Sequence, residues 1–246
     1  MNFVLWLSNL KHSPRLAGIR KYTNLLYYDP YFVNIDMRNF DVIEVDGYKF
    51  YINDQVRSIQ KVKDNPWFEG VRPTDVVVDI GANIGAITIP LASKARLTYA
   101  VEPLYHKELQ ANLDLNNLPM VVVILGAIGP RGWRKLMFSS REEEVFFLTF
   151  KELKDRVGEQ IDFLKMDGEG CEWDIQPNEL KGIRELRLEF HIRRASLKGD
   201  KRKFKEYLDW MDQEAYEVHC ECPNYGPDPH DKKDYVVRAS LKEKSK

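Results

Sequence analysis

Val76-Val77-Val78-Asp79-Ile80-Gly81-Ala82-Asn83-Ile84-Gly85 is the stretch whose reading decides the fold. Its run of β-branched residues reads as a buried parallel strand, apolar on both faces. The strand ends in an acid, Asp79, and breaks into a turn holding Gly81 and Gly85, four apart. Ala86 to Ala92 continues as a short apolar helix, and Leu97 to Val101 is a second apolar strand that ends in Glu102-Pro103. Strand, glycine turn, helix, strand, acid is the layout of a nucleotide-type cofactor site. Glycines let the backbone approach a ligand closely, and the second acid accepts hydrogen bonds from ribose hydroxyls.

Details of the turn select the ligand. A pyrophosphate site needs G-x-G-x-x-G on a helix N-terminus. Here the pattern is D-x-G-x-x-x-G, with Asn83 between the glycines. Asp79 would repel a pyrophosphate but suits a cationic or zwitterionic group. S-adenosylmethionine, with its sulfonium, ammonium, carboxylate and ribose, matches an acid at each of the two strand ends. A bare βαβ unit would not need both acids and both glycines at those ends.

Composition frames this reading. The 246 residues fit one large α/β domain with an N-terminal elaboration, and the 43% apolar content supports a real core. Charged residues make up 30% but balance to a formal net charge of −1, which gives no general drive toward nucleic acid or an anionic membrane. The three cysteines, Cys171, Cys220 and Cys222, have no metal or redox spacing and fit a reducing compartment. Cys220 and Cys222 would share one face of a strand and pack there. No apolar run approaches a membrane span, and the N-terminal Met1-Asn2-Phe3-Val4-Leu5-Trp6-Leu7 lacks the form of a signal peptide, so a cytoplasmic location is expected.

Residues 1 to about 40 are aromatic-rich without a clean period and read as an irregular cap. Val42 to Val45 and Tyr48 to Ile52 flank Asp46-Gly47, a strong hairpin signal. Residues 54 to 70 look helical. Residues 1–70 thus form an extension with a hairpin, and 71–246 the main domain. In that domain helices are expected over about 84–93, 105–117, 150–157 and 200–214. The third of these starts from a Thr149/Glu152 capping box. Further strands are expected at Val121–Leu125, Ile161–Met166 and Ile183–His191, with an extra one near Arg134–Phe138. The alternating charges of 183–191 suggest a less buried strand. Tyr216–Cys222 and Tyr235–Ala239 read as an antiparallel pair at a sheet edge.

The second chemical block is Lys165-Met166-Asp167-Gly168-Glu169-Gly170-Cys171-Glu172, at the end of the fourth core strand. Ligands of open α/β sheets sit outside the carboxyl ends of the strands, so Asp167 and Glu169 land beside the glycine turn. Glu189 and His191 are two apart on the next strand and share a face. Two readings follow. Either His191 or a nearby acid is a general base for an acceptor hydroxyl, or Asp167, Glu169, Glu189 and His191 include ligands for a divalent metal. The first is preferred, and no residue is assigned to a metal.

These blocks carry a resemblance. The chain resembles a class I S-adenosylmethionine-dependent methyltransferase, and most closely the FkbM family. Residues 76–85 carry it first, then Glu102-Pro103 with Asn112 and Asn116-Asn117 in the following helix. The third carrier is Ile161-Asp162-Phe163-Leu164-Lys165-Met166-Asp167-Gly168-Glu169-Gly170-Cys171-Glu172, which holds every fixed position of the family's I-D-x-x-K-x-D-x-E-G-x-E. The resemblance covers about residues 42–192. It implies a Rossmann-like α/β fold: a seven-stranded, mostly parallel sheet with an antiparallel edge strand. It also implies methyl transfer to a hydroxyl oxygen on a small molecule or sugar.

By position, the resemblance puts Asp79, Gly81, Asn83 and Gly85 along the methionine part of the cofactor, with Ala82 beside them. Glu102 would take the ribose, with Pro103 next to it, and Ala127-Ile128 would flank adenine. Asp167 and Glu169 would lie between cofactor and acceptor, with His191 the remaining candidate base. Two rivals remain. Lys94-Ala95-Arg96, Glu102 and Asn116-Asn117 also resemble archaeal-type transfer-RNA guanine methyltransferases, aided by the basic residues between Arg193 and Lys205. Where that family carries a Pro-rich loop, this chain has Asp167-Gly168-Glu169-Gly170, and acids interleave the basic run. The other rival is a non-catalytic binding protein on the same scaffold; for the chain itself an oligomer is possible, with the aromatic N-terminus either covering the pocket or packing on a second subunit.

Overall fold

Strand β3, Val76–Ile80, is buried along its whole length, as its β-branched run requires. It is an interior strand of a seven-stranded sheet in a computed structural model that describes residues 41–51, 59, 62, 66–138, 141–191, 201–221 and 235–242. Ahead of it lie β1 (Val42–Val45) and β2 (Tyr48–Tyr51). The core strands that follow are β4 (Leu97–Val101), β5 (Val121–Ile124), β9 (Phe163–Met166), β10 (Glu185–Phe190), β11 (Tyr216–Glu221) and β12 (Tyr235–Leu241). Three more strands, β6 (Ala127–Ile128), β7 (Gly132–Phe138) and β8 (Arg141–Leu148), form a separate small sheet.

The large sheet runs β11-β12-β10-β9-β3-β4-β5. Strands β5, β4, β3, β9 and β10 are mutually parallel, and β12 is antiparallel to both of its neighbours. This is the Rossmann-like, mostly parallel sheet expected. The late pair sits at the edge as read, but β12 enters one position in, and the outermost strand is β11. The chain order reverses between β3 and β9, so a crevice opens at the carboxyl ends of those two strands.

Four helices are described: α1 (Thr88–Ala92), α2 (His106–Leu115), α3 (Phe150–Val157) and α4 (Lys201–Gln213). Helix α1 starts later than the pattern predicts. Asn83 (φ 51°) and Gly85 (φ 95°) are left-handed, which no right-handed helix accommodates. Pro90 falls in the first turn of α1, where its missing N–H leaves nothing unpaired. Helix α2 buries Leu109 and Leu113 as expected. Helix α3 begins at the reciprocal Thr149–Glu152 capping box and ends at left-handed Gly158.

The hairpin turn is left-handed at both Asp46 (φ 51°) and Gly47 (φ 80°), as a type I′ turn needs. Asn112 of α2 and Asn116, the cap at its C-terminus, hold it. Asn112 Oδ1 accepts the Tyr51 N–H at 2.9 Å, while Asn116 Oδ1 accepts the Lys49 N–H and its Nδ2 donates to the Lys49 carbonyl. Asn112 Nδ2 donates to the Ile84 carbonyl at 2.8 Å, so one side chain joins hairpin, helix and glycine turn.

The expectation that β10 is less buried is corrected: five of its six residues are buried. Its charges are internal because they are paired. Arg187 Nη1 lies 3.1 Å from Glu185 Oε2, and Arg184 bridges Asp75 and Glu185 at 2.6 Å each. Strand β8, which carries Glu142-Glu143-Glu144, was not read from the sequence. Its ladder to β7 and the burial of Val145 and Leu148 make it a strand. Cys171 is buried, whereas Cys220 lies in β11 opposite Val237 and is exposed, so it is not packed as expected. The cap expected at 1–40, most of the helix at 54–70, and Cys222 lie outside the described residues. Among the described residues no helix is long and apolar enough to cross a membrane.

Candidate active site

The glycine turn is built against the loop that follows β9. A Cβ on Gly81 (φ +76°) would stand 1.9 Å from the Asp167 carbonyl oxygen, so only glycine fits. The two loops are also bonded across the sheet, with Asp167 N–H donating to the Ile80 carbonyl at 3.0 Å. Gly81 and Ala82 both donate to the Val101 carbonyl, which holds the turn over the end of β4. A Cβ on Gly85 would meet the Leu109 side chain at 2.9 Å, so this glycine lets α2 close on the turn.

Asp79 is fully buried and is already committed. Its Oδ2 accepts the Thr88 hydroxyl at 2.6 Å, and its Oδ1 lies 2.9 Å from Lys165 Nζ. Lys165 is its register neighbour on β9 and also donates to the Gly81 carbonyl at 2.8 Å and the Ile80 carbonyl at 3.3 Å. The negative charge that was expected to face a cationic ligand is therefore neutralised from within. What Asp79 does here is hold Lys165, and Lys165 fixes the carbonyl of the turn. Lys165 had no role in the sequence reading. The available signal was a lysine inside an apolar strand, which only a buried partner makes tolerable.

Glu102 stands at the end of β4, buried, with its carboxylate aimed at backbone donors. Oε2 accepts Asn83 N–H at 2.7 Å, and Oε1 accepts Leu104 and Tyr105 N–H at 2.7 and 2.9 Å. Burial pushes its carboxyl up from the ordinary value, against the opposing pull of those N–H groups and of the Lys165 charge. A carboxylate has roughly four lone-pair sites, so three N–H bonds leave one acceptor position for a hydroxyl. Pro103 is half-buried beside it. Ala127 pairs with Phe147 of β8 and packs against a cluster that includes Ala82, Ile84, Leu104 and Tyr105.

The third group gathers around His191, just past β10. The structure brings Asp167, Glu169 and His191 together, with one ligand-type atom of each within 4.8 Å of the others. His191 Nε2 lies 3.5 Å from Glu169 Oε2, 3.6 Å from Asp167 Oδ1 and 4.0 Å from Glu189 Oε1. Nδ1 faces Glu172 Oε1 at 3.1 Å, and the same oxygen accepts the His191 backbone N–H at 2.7 Å. Glu172 is wholly buried; its other oxygen accepts Gly170 N–H at 2.9 Å, and its backbone carbonyl accepts the Tyr207 hydroxyl. Trp173 Nε1 donates to the His191 carbonyl at 3.1 Å. Burial alone would lower the imidazole pKa. The hydrogen bond and charge of Glu172, with the charges of Asp167 and Glu169, outweigh it and raise the value to about 9. These acids favour the protonated form of His191. The sequence reading also passed over Glu172, which orients the ring. Its signal was its place as the last fixed acid of the third block.

No family model matches the chain, and no curated protein matches it. Solved structures do. A rRNA methylase from Streptococcus thermophilus is 14% identical, over 78% of this chain and 98% of that one, with a TM-score of 0.48. TYW2 of M. jannaschii, in complex with AdoMet, is 17% identical, over 82% and 84%, with a TM-score of 0.47. The precorrin-6y C5,15-methyltransferase of Geobacter metallireducens GS-15 is 13% identical, over 76% and 87%, with a TM-score of 0.45. At such identities and scores the site must be read from this chain's own geometry. That geometry is a Rossmann-like sheet with its glycine turn, two strand-end acids and a carboxylate–imidazole cluster at one crevice.

Proposed function

We propose that the chain is an S-adenosylmethionine-dependent methyltransferase of FkbM type, acting on a hydroxyl of a small molecule or sugar. The observation that carries it is the juxtaposition at the switch point. The glycine turn of β3 touches the Asp167 loop of β9, so a donor site and an acid-rich acceptor site share one crevice. The donor-site residues fit the cofactor. The Gly81–Gly85 turn brings backbone to the ligand, Glu102 keeps an acceptor position for a ribose hydroxyl, and Ala127 offers an apolar surface to adenine.

When bound, S-adenosylmethionine supplies a methyl group already activated by its sulfonium. The chain's own residues then have to orient an oxygen, exclude water and take a proton. Asp167 and Glu169 are half-buried carboxylates at the crevice and accept the hydrogen bond of an acceptor hydroxyl, then its proton. His191, oriented by Glu172 at 3.1 Å, stands beside both with Nε2 at 3.5 and 3.6 Å. Three carboxylates around this position, Asp167, Glu169 and Glu189, repel phosphate and favour a neutral polyol over RNA.

Transfer of label from methyl-labelled S-adenosylmethionine, to a panel of monosaccharides, oligosaccharides and hydroxylated small molecules beside transfer-RNA and ribosomal-RNA transcripts, tests the reading. Label on a hydroxyl acceptor that is lost in Asp167→Asn supports it. Label on RNA alone replaces it with base methylation.

A further inference from the structure

We infer that Asp167, Glu169 and His191 form a binding site for one divalent first-row transition ion. The distances carry the inference. His191 Nε2 is 3.5 Å from Glu169 Oε2 and 3.6 Å from Asp167 Oδ1. Hydrogen bonds between such groups run about 2.7–3.2 Å, so these contacts are too long to be hydrogen bonds. Ligands on one ion with bonds of about 2.1 Å stand about 3.0–3.5 Å apart, close to the spacing seen. One ligand atom from each of the three side chains lies within 4.8 Å of the others, a spread that one ion can draw together.

The imidazole is an independent sign. Its side chain is 95% withdrawn from solvent and is aimed into the cluster by its other nitrogen, because Nδ1 is taken by Glu172 at 3.1 Å. A carboxylate behind one ring nitrogen, with the second nitrogen presented to other ligands, is the way metal-binding histidines are oriented. Trp173 and Tyr207 stiffen that support by bonding the carbonyls of His191 and Glu172. Mixed imidazole and carboxylate ligands suit manganese, iron or zinc better than magnesium or calcium. Glu189 Oε1, 4.0 Å from Nε2, lies at the margin of the same sphere. An ion here would face the acceptor and lower the pKa of its hydroxyl.

This inference deepens the methyl-transfer reading by saying what the acceptor-facing cluster holds, and ion binding is measured without any methyl transfer, so either can fail alone. The full-length chain, stripped with EDTA, is titrated with Mn²⁺ by electron paramagnetic resonance, and Zn²⁺ is then added as competitor. One Mn²⁺ per chain, displaced by Zn²⁺, is expected. Affinity should fall at least about tenfold in Asp167→Asn and in His191→Gln, since each removes a direct ligand. Glu142→Gln, an exposed acid of β8, should bind as wild type. If His191→Gln fails to fold, Glu169→Gln carries the test, because that half-exposed side chain is not part of the core. No saturable Mn²⁺ or Zn²⁺ binding by the folded wild type would overturn the inference, as would binding that Asp167→Asn and Glu169→Gln leave unchanged.

Discussion

Replacing Lys165 with methionine tests the internal brace of the site. The substitution keeps the length of the side chain and removes its charge, leaving Asp79 buried at 0% exposure with only the Thr88 hydroxyl at 2.6 Å. Breaking a buried ion pair by removing one partner costs about 3–5 kcal/mol, because the other charge stays uncompensated. For a chain of this size each kcal/mol shifts Tm by about 2–4 °C, so a fall of about 6–20 °C is expected. The carbonyls of Gly81 and Ile80 lose their donor too, and the glycine turn should loosen. In the double variant Lys165→Met with Asp79→Asn the charge is gone and the Thr88 bond can be kept. Stability should then be regained with a coupling energy of at least about 1 kcal/mol. Thermal and urea unfolding of wild type, both singles and the double give that cycle. A Lys165→Met variant within about 1 kcal/mol of wild type, or a double variant no more stable than the additive sum, would refute the brace.

Other outcomes follow from the same contacts. Gly81→Ala places a Cβ 1.9 Å from the Asp167 carbonyl at φ +76°, and overpacking alone should cost about 1–3 kcal/mol by thermal unfolding. Thr149→Ala removes the α3 capping box and should cost about 0.5–2 kcal/mol while leaving S-adenosylhomocysteine binding unchanged by calorimetry. Asn116→Ala frees the Lys49 N–H and carbonyl, so hydrogen exchange should accelerate at Lys49 while the amides of β3 stay protected. Glu172→Gln weakens the hold on His191 Nδ1 and should cost about 10–100-fold in Mn²⁺ affinity, with S-adenosylhomocysteine affinity unmoved.

The parallel core was legible because β3, β4 and β5 are apolar runs that end in punctuation, and a strand buried on both faces needs nothing else. The glycine turn was legible for a related reason, since Gly81 and Gly85 sit where no side chain fits. The charged strand β10 misled because periodicity registers charge and not its partner. Arg184 reaches Asp75 and Arg187 donates to the Glu69 carbonyl, each more than a hundred positions away, and nothing in a local window shows either. The same limit hid Lys165. Asp79 and Lys165 are 86 positions apart and become neighbours only through the β3–β9 register.

In the third block the gathering of Asp167, Glu169 and His191 was readable, because strand ends converge in this kind of sheet. What each one does was not. Asp162 proves to anchor the start of β3 by accepting Val76 N–H at 2.8 Å, and Glu172 proves to orient His191. The environment of His191 depends on three acids of the loop after β9, Asp167, Glu169 and Glu172, at least 19 positions away in the chain.

In the proposed reading the β3 turn and Glu102 form a methyl-donor site. Calorimetric titration of the purified full-length chain with S-adenosylhomocysteine tests it most directly, with Glu102→Gln as the partner variant and circular dichroism to confirm that both are folded. Saturable one-to-one binding by the wild type, weakened in Glu102→Gln, is the predicted result. A folded wild type that shows no binding at millimolar ligand would contradict the claim and leave a scaffold with a different purpose.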